Sequence, residues 1–200
     1  MKLMTSGEFV PTAAVLKLIE DQQANVEFFH EELFRESDRG CALFAGAFLD
    51  VQLVELLKLY LVVNTSIDKE LFKGTSPLST FSSRITISYY LGLVSKSLKG
   101  ELDIIRKIRN EFAHELRVNS FEIETVKNRC VALRYSYHTS DATPRHHFIS
   151  AATGAYSKII QSTLQIQNHS EKPDCAPTNE EKERFRARFF AEHGKINFKS

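Results

Sequence analysis

The residues best suited to chemistry lie in one segment, where Arg109, Asn110 and His114 follow apolar residues at helical spacing. An arginine guanidinium can bind phosphate oxygens through paired hydrogen bonds. A histidine with an ordinary pKa near ~6.5 exchanges a proton close to neutral pH, and a fixed guanidinium can stabilise negative charge that grows on a phosphate. These residue types therefore permit either phosphate binding or acid–base chemistry at a phosphate.

The spacing of Arg109 and His114 limits that chemistry. On a continuous helix of ~100° per residue they lie about 140° apart, so they meet at one substrate only if the helix ends between them or a second subunit contributes. Asp103, Arg106, Asn110 and His114 share one polar stripe, whereas Arg109 falls at the edge of the apolar arc. We therefore expect Arg109 to face inward.

A structural interpretation of these residues is equally open. A partly buried arginine needs a carboxylate partner, and Asp38 or Asp50 could form that ion pair with Arg109. Asp50 lies within the most apolar segment of the chain, predicted as a helix over about 38–63. A charge in such a segment requires a partner or a ligand. His114 could instead interact with the carbonyl groups at the end of its own helix.

Three other arginines are candidates for a binding surface: Arg39, Arg84 and Arg106. Arg39 lies beside Glu36 and Asp38 at the start of a helix, where these residues either cap and pair locally or form a polar surface next to Arg106. The local pattern around Arg84 does not decide between solvent and the same polar cluster.

No residue set predicts a metal ion or a cofactor. His138, His146 and His147 lack a carboxylate or thiol that would complete a ligand set, and we interpret them as solvated loop histidines. The three cysteines are far apart in sequence and form no CxxC pair, which favours reduced thiols.

Composition predicts an all-α protein. Among 200 residues, 42% are hydrophobic and 26% charged, and the 8 glycines and 5 prolines are about half the usual share. Turn-rich sheets are therefore disfavoured. The net charge of +1 excludes a global field for nucleic acid or membrane. We expect a single-domain compact bundle of about six helices with a C-terminal tail.

Apolar spacing places these elements along the chain. Leu98, Leu102, Ile105, Ile108 and Phe112 form the most regular stripe. Asn119 and Glu122 resemble a capping box for a short helix, although nearby tyrosines would also suit a strand. The predicted helices cover about 11–34, 38–63, 81–93, 97–114, 123–133 and 148–166.

Three larger regions follow from the same pattern. Residues 8–167 are predicted as the helical domain, 168–181 as a linker and 182–200 as a separate tail. Residues 182–190 carry four positive charges, one negative charge and three phenylalanines, which we interpret as a solvated or self-packing tail rather than a nucleic-acid contact. We expect no signal peptide, because no apolar h-region follows Met1 and Lys2. We expect no membrane span, because charged residues interrupt the apolar segment 41–63.

Three segments together resemble the mannitol operon repressor family, over roughly residues 12–165. They are ESDRGC at 36–41, PLSTF at 77–81 with Arg84, and DIIRKIRNEFAH at 103–114. The resemblance implies a compact, all-helical, cytoplasmic regulator of transcription. The sequence shows no helix-turn-helix with a basic recognition helix. We therefore expect a regulatory protein partner, with nucleic acid bound weakly or indirectly and no membrane.

Arg109, Asn110 and His114 are also similar to the R-N-x-x-x-H signature of the HEPN superfamily of helical ribonucleases and nucleotide-binding domains. That resemblance implies that Arg109 and His114 are a catalytic pair, used without metal in a site that dimerisation completes, and that Asn110 is the polar second position. Such a site would cleave RNA and leave DNA intact, because DNA lacks the 2′-hydroxyl group. The non-enzymatic regulator is our first hypothesis and the ribonuclease, as a homodimer, our second. A small nucleotide- or phosphate-binding sensor that uses Arg39, Arg106 and Arg109 without turnover is a third.

Overall fold

The computed structural model describes residues 13–173 and 175–193, and these residues form eight α-helices and no strand. The all-α class is therefore confirmed. The helices are α1 (Ala13–Arg35), α2 (Asp38–Tyr60), α3 (Thr65–Phe72), α4 (Phe81–Tyr90), α5 (Lys96–His114), α6 (Glu124–Val131), α7 (Pro144–Gln165) and α8 (Asn179–His193).

Two helices exceed the expected number of about six. The short α3 lies in a segment to which no helix was assigned, and its last residue, Phe72, packs with Leu57 of α2 and Leu78 in a small apolar cluster. The other is α8, which begins within the predicted linker. With eight residues, α3 is too short to display a helical period in the sequence, and the apolar residues of α8 do not follow one face.

Side-chain caps fix where α4 and α7 begin, the first at the predicted residue and the second earlier than predicted. Thr80 caps α4 through a reciprocal bond with Ser83. At α7, the Thr143 side chain accepts a hydrogen bond from a backbone N–H and Pro144 takes the first turn, so the helix begins four residues before position 148. The capping box predicted before α6 does not form, since Ile123 occupies the cap position without a side-chain bond.

The centre of the helical unit is α2, which packs against α1, α4, α5 and α7. Its buried face includes Cys41, Ala45, Leu49, Leu53 and Leu56. Among the described residues, α2 is the helix that is long and apolar enough to cross a membrane by length and composition. In this fold, four neighbouring helices pack on its buried face, while Val51 and Leu59 stay exposed.

The predicted apolar stripe of α5 is buried as its spacing indicates. One acid, Glu101, is buried on this helix without having been anticipated. Its two carboxylate oxygens accept the backbone N–H groups of Arg134 at 3.1 Å and Tyr135 at 2.9 Å, which ties the segment after α6 to α5. Burial raises the pKa of Glu101, and these two hydrogen bonds oppose that shift.

The chain divides into two compact units between His169 and Ser170, close to the predicted domain end at 167. The first unit contains α1 to α7 and the second contains α8. Within α8 the rings of Phe185 and Phe189 stack with centroids 6.2 Å apart.

Candidate functional site

An open cavity of about 440 Å³ lies between the first turn of α4 and one face each of α2 and α5. Two of the predicted site residues from the R-N-x-x-x-H segment line it, and so does the predicted binding residue Arg106. The lining residues are Gly46, Ala47, Asp50 and Val51 of α2, Thr80, Phe81 and Ser82 before and within α4, and Arg106, Arg109 and Asn110 of α5.

Gly46 explains how Arg109 reaches this cavity. A Cβ atom at position 46 would lie 2.6 Å from Cγ of Arg109, so only glycine allows the aliphatic part of Arg109 to lie against α2. The guanidinium donates from Nη1 to the Asn110 Oδ1 atom at 3.1 Å. In the described part of the chain, no carboxylate lies within 4 Å of the Arg109 guanidinium. The prediction that Arg109 forms an ion pair with Asp38 or Asp50 is therefore wrong, since these acids pair with Arg145 and Arg84.

Arg106, one helical turn before Asn110, is also weakly paired. Its Nη2 atom lies 3.6 Å from Oδ1 of Asp103, whose other oxygen accepts a 2.7 Å hydrogen bond from Lys99. The Arg106 Nε atom is buried and has no hydrogen-bond partner among the described residues. Arg106 therefore lines the cavity with a charge that only a 3.6 Å contact to a shared carboxylate compensates, and its buried Nε atom is a donor that the fold leaves unbonded.

Asp50 faces the same cavity, and its partner is Arg84. The Arg84 Nη1 atom lies 2.7 Å from Asp50 Oδ1, an ion pair whose angles fall outside those of a hydrogen bond. Arg84 is buried and also donates to the backbone carbonyls of Phe72, Leu78 and Ser79. All these acceptors are fixed parts of the fold, so the prediction that Arg84 binds a ligand is wrong: it holds the turn before α4.

Arg39 is likewise a structural residue rather than part of a binding surface. Its guanidinium donates to four backbone carbonyls in and just after the last turn of α5, which belong to Phe112, Glu115, Leu116 and Val118. These carbonyls have no intrahelical donor, because they lie at the end of the helix or beyond it. The expected surface that joins Arg39 to Arg106 therefore does not form.

Asp38 forms its ion pair with Arg145, at the start of α7. The second Asp38 oxygen accepts the backbone N–H of Phe121 at 3.1 Å. Arg145 also donates to the three backbone carbonyls of Leu33, Phe34 and Glu36, around the end of α1. The pair links α1, α2 and α7.

His114 is separated from the cavity. It is the exposed last residue of α5, and it does not belong to the cavity lining. Because α5 is continuous from Arg109 to His114, the helical rotation between them is about 140° and the rise about 7.5 Å. Within one chain the structure brings Arg109 and Asn110 together with Arg106, and it does not bring His114 to them.

The histidines and cysteines of the described residues do not line this cavity. Within residues 13–173 and 175–193 no group of three His, Cys, Asp or Glu side chains is placed to hold a metal ion. His147 is buried and lies 2.8 Å from the Ser136 hydroxyl, so the prediction of a solvated loop residue is wrong for it. Cys41 and Cys130 are buried free thiols, and burial raises the pKa of each to about 12.

A larger cavity of about 850 Å³ lies between the start of α5 and the end of α6. None of the predicted site residues lines it. Its buried acid, Glu101, uses both oxygens for backbone hydrogen bonds, so its polar centre is already occupied by the fold.

Gly46 and Ser82 are the site residues that sequence reasoning missed. A glycine inside the most apolar helix is a recognisable signal of close approach by another group. Ser82 lies in a hydroxyl-rich segment that resembles a helix start, and no sequence pattern indicates that this start faces α5.

No protein-family model, no curated protein and no solved structure matches this chain. The resemblance to the mannitol operon repressor family therefore rests on the three segments alone. In the fold these segments lie at the start of α2, before and in α4, and along α5. Arg39 connects the first to the end of the third, and the cavity lies between the second and the third.

Proposed function

We propose that the protein is a non-enzymatic, cytoplasmic regulator of transcription, of the kind that the resemblance to the mannitol operon repressor family implies. The observation that carries this proposal is the separation of Arg109 and Asn110 from His114. Cleavage of a phosphodiester requires the proton-transfer group and the charge-stabilising group at one phosphate. A single chain offers the cationic group in a cavity and leaves the imidazole outside it.

Contact with a regulatory protein partner is the mode of action that the surface supports best. Four large apolar side chains are exposed within nine residues at the end of α2 and the start of α3: Leu59, Val62, Val63 and Ile67. We name this patch the α2–α3 edge. Val63 is 75% exposed. Since the net charge is +1, the chain has no general attraction for DNA, and its nucleic-acid contact is weak or indirect.

The test is genetic complementation with matched surface variants. The gene is deleted in the organism that encodes this protein, and the deletion strain is complemented with the wild-type gene or with the His114→Ala or Val63→Glu variant. Transcript levels are then compared among these strains. Both side chains are exposed, so neither substitution should change the fold. We expect His114→Ala to restore regulation and Val63→Glu to fail. Failure of a correctly folded His114→Ala variant, or no altered transcript in the deletion strain, would contradict the proposal.

A gel shift separates protein contact from direct DNA reading. The purified protein is titrated onto the promoter of an operon that responds in the deletion strain. We expect little binding by the protein alone at physiological salt. Tight, sequence-specific operator binding would refute the protein-contact mode.

The alternative is a metal-independent endoribonuclease. It is favoured by the exposure of His114, whose side chain makes no hydrogen bond within the described ranges and is therefore accessible to a second copy of the chain. A homodimer could bring that imidazole to the other copy's Arg109. Structured RNA is incubated with wild type and with His114→Ala in the presence of EDTA. Cleavage by the wild type alone would establish the ribonuclease and overturn the regulator.

A further inference from the structure

We propose that the cavity between α2, α4 and α5 binds a phosphate monoester of a small hydroxylated molecule, with Arg106 and Arg109 as the phosphoryl-binding residues. The proposal stands independently of transcriptional regulation, because it depends only on the geometry and charge of this cavity. It gives a use to two guanidinium groups that the fold itself leaves incompletely bonded.

The charge balance of the cavity favours an anion. Arg109 has no carboxylate neighbour within 4 Å in the described residues, and the closest acid to Arg106, at 3.6 Å, is shared with Lys99. Asp50 is the acid in the lining, and Arg84 compensates it. A phosphoryl group would supply the oxygen acceptors that the two arginines lack, and guanidinium groups bind phosphate with two parallel N–H···O bonds.

Uncharged donors in the same lining add to the two arginines. The Ser82 hydroxyl makes no hydrogen bond within the described ranges, and Phe81 and Ser82 occupy the first turn of the ten-residue α4. The backbone N–H groups of a first helical turn have no intrahelical acceptor, and the helix dipole there favours negative charge. These donors reinforce a site whose charge comes from α5.

The rest of the lining indicates a small hydroxylated ligand. A cavity of about 440 Å³ falls within the size range of small-molecule sites. The Asp50 carboxylate, held by Arg84, is an acceptor for a hydroxyl group, and Val51 and Phe81 supply apolar contact. A sugar phosphate or a nucleoside monophosphate carries both a phosphoryl group and hydroxyl groups.

Isothermal titration calorimetry of the full chain tests the ligand class. The probes are inorganic phosphate, glucose 6-phosphate, AMP and unphosphorylated glucose. We expect glucose 6-phosphate or AMP to bind with a Kd of about 1 mM or tighter, more tightly than inorganic phosphate, and glucose not to bind. The proposal is overturned if no phosphorylated probe binds, or if both esters bind no better than inorganic phosphate.

Variants on one helix locate the site. Arg106→Gln and Arg109→Gln should each weaken binding of the best probe by about 10-fold or more, because each removes a charge-assisted bond pair. The matched control is Lys107→Gln, which removes the same charge from an exposed position between them that does not line the cavity. Thermal unfolding confirms that all three variants are folded.

The Lys107→Gln control also distinguishes a specific binding site from nonspecific electrostatic attraction. If Lys107→Gln weakens binding as much as the two cavity variants do, general positive charge is responsible and the proposal fails. Arg109→Lys provides a second check, since it keeps the charge and loses the planar fork. We expect it to bind more weakly than wild type, and unchanged affinity would contradict the assignment of Arg109.

Discussion

Two sets of arginines in this molecule differ in how many of their donors the fold uses. The clamp arginines, Arg39, Arg84 and Arg145, each donate to at least three backbone carbonyls, and two of them also pair with an aspartate. The pocket arginines, Arg106 and Arg109, have between them one distant carboxylate and one side-chain amide. Residue type and charge are the same in both sets.

This difference predicts that one set of arginines stabilises the fold and the other binds a ligand. A guanidinium removed from water costs free energy unless its donors find acceptors, and the clamp arginines find them within the backbone. The pocket arginines line an open cavity and have few acceptors within the fold, so an external anion can bond to them. We therefore expect the clamp set to control unfolding and the pocket set to control ligand affinity.

The largest expected effect is the loss of a clamp residue. Arg84→Met keeps the side-chain length and removes four polar contacts, which leaves Asp50 unpaired beside the cavity. We expect the free energy of unfolding to fall by about 3–5 kcal/mol, measured by urea denaturation. Arg84→Lys is the matched control and should recover part of this loss. A change below about 1 kcal/mol in Arg84→Met would show that the clamp contacts are not stabilising.

The next effect concerns the end of α5. Arg39→Met removes the donor to four carbonyls, but the hydrogen bonds to Glu115 and Leu116 are exposed, so water can replace these two. We expect a loss of about 2–3 kcal/mol in urea denaturation. Amide hydrogen exchange should accelerate for residues 115–118 more than for the middle of α5. Uniform acceleration along the helix would contradict a local role.

A smaller effect is expected where α2 approaches the pocket arginine. Gly46→Ala places a methyl group against the Arg109 side chain and should destabilise the fold by about 1–2 kcal/mol. The double variant Gly46→Ala with Arg109→Ala should recover part of that loss, because the Cγ atom at 2.6 Å is gone and only the Cβ atom at 3.0 Å remains. Additive losses in this double-mutant cycle would disprove the contact.

The smallest effect on stability is expected from the pocket set itself. Arg109→Gln should change the free energy of unfolding by less than about 0.5 kcal/mol, because Arg109 has no carboxylate partner in the described residues and repels Arg106 three residues earlier. The same variant should lose phosphate-monoester binding. A loss of stability comparable to that of Arg84→Met would place Arg109 among the clamp residues.

The helical parts of this description were predictable from local pattern. The apolar stripe of α5 and the burial of α2 follow from spacing within one helix, and so does the inward position of the Arg109 stem. The partners of the charged residues were not predictable. Asp38 pairs with an arginine 107 residues away, and Arg39 bonds to carbonyls more than 70 residues away. Such partners depend on how helices cross, which single-helix periodicity does not contain.

The predicted site was partly recovered for the same reason. Arg106, Arg109 and Asn110 lie on one helix, and their proximity follows from helical geometry. Gly46 and Ser82 come from two other helices and join them only through tertiary packing. The placement of His114 outside the cavity follows from the continuity of α5, which the sequence left open because its helix end was uncertain by a few residues.

The most direct test of the distinction between clamp and pocket arginines is NMR observation of their Nε–Hε groups during titration with glucose 6-phosphate or AMP, whichever binds more tightly. We predict that the Arg106 and Arg109 signals shift together along one binding curve, while the Arg39 and Arg145 signals and the His114 ring stay unchanged. Shifts at His114 or at the clamp arginines, with none at Arg106 and Arg109, would contradict the account.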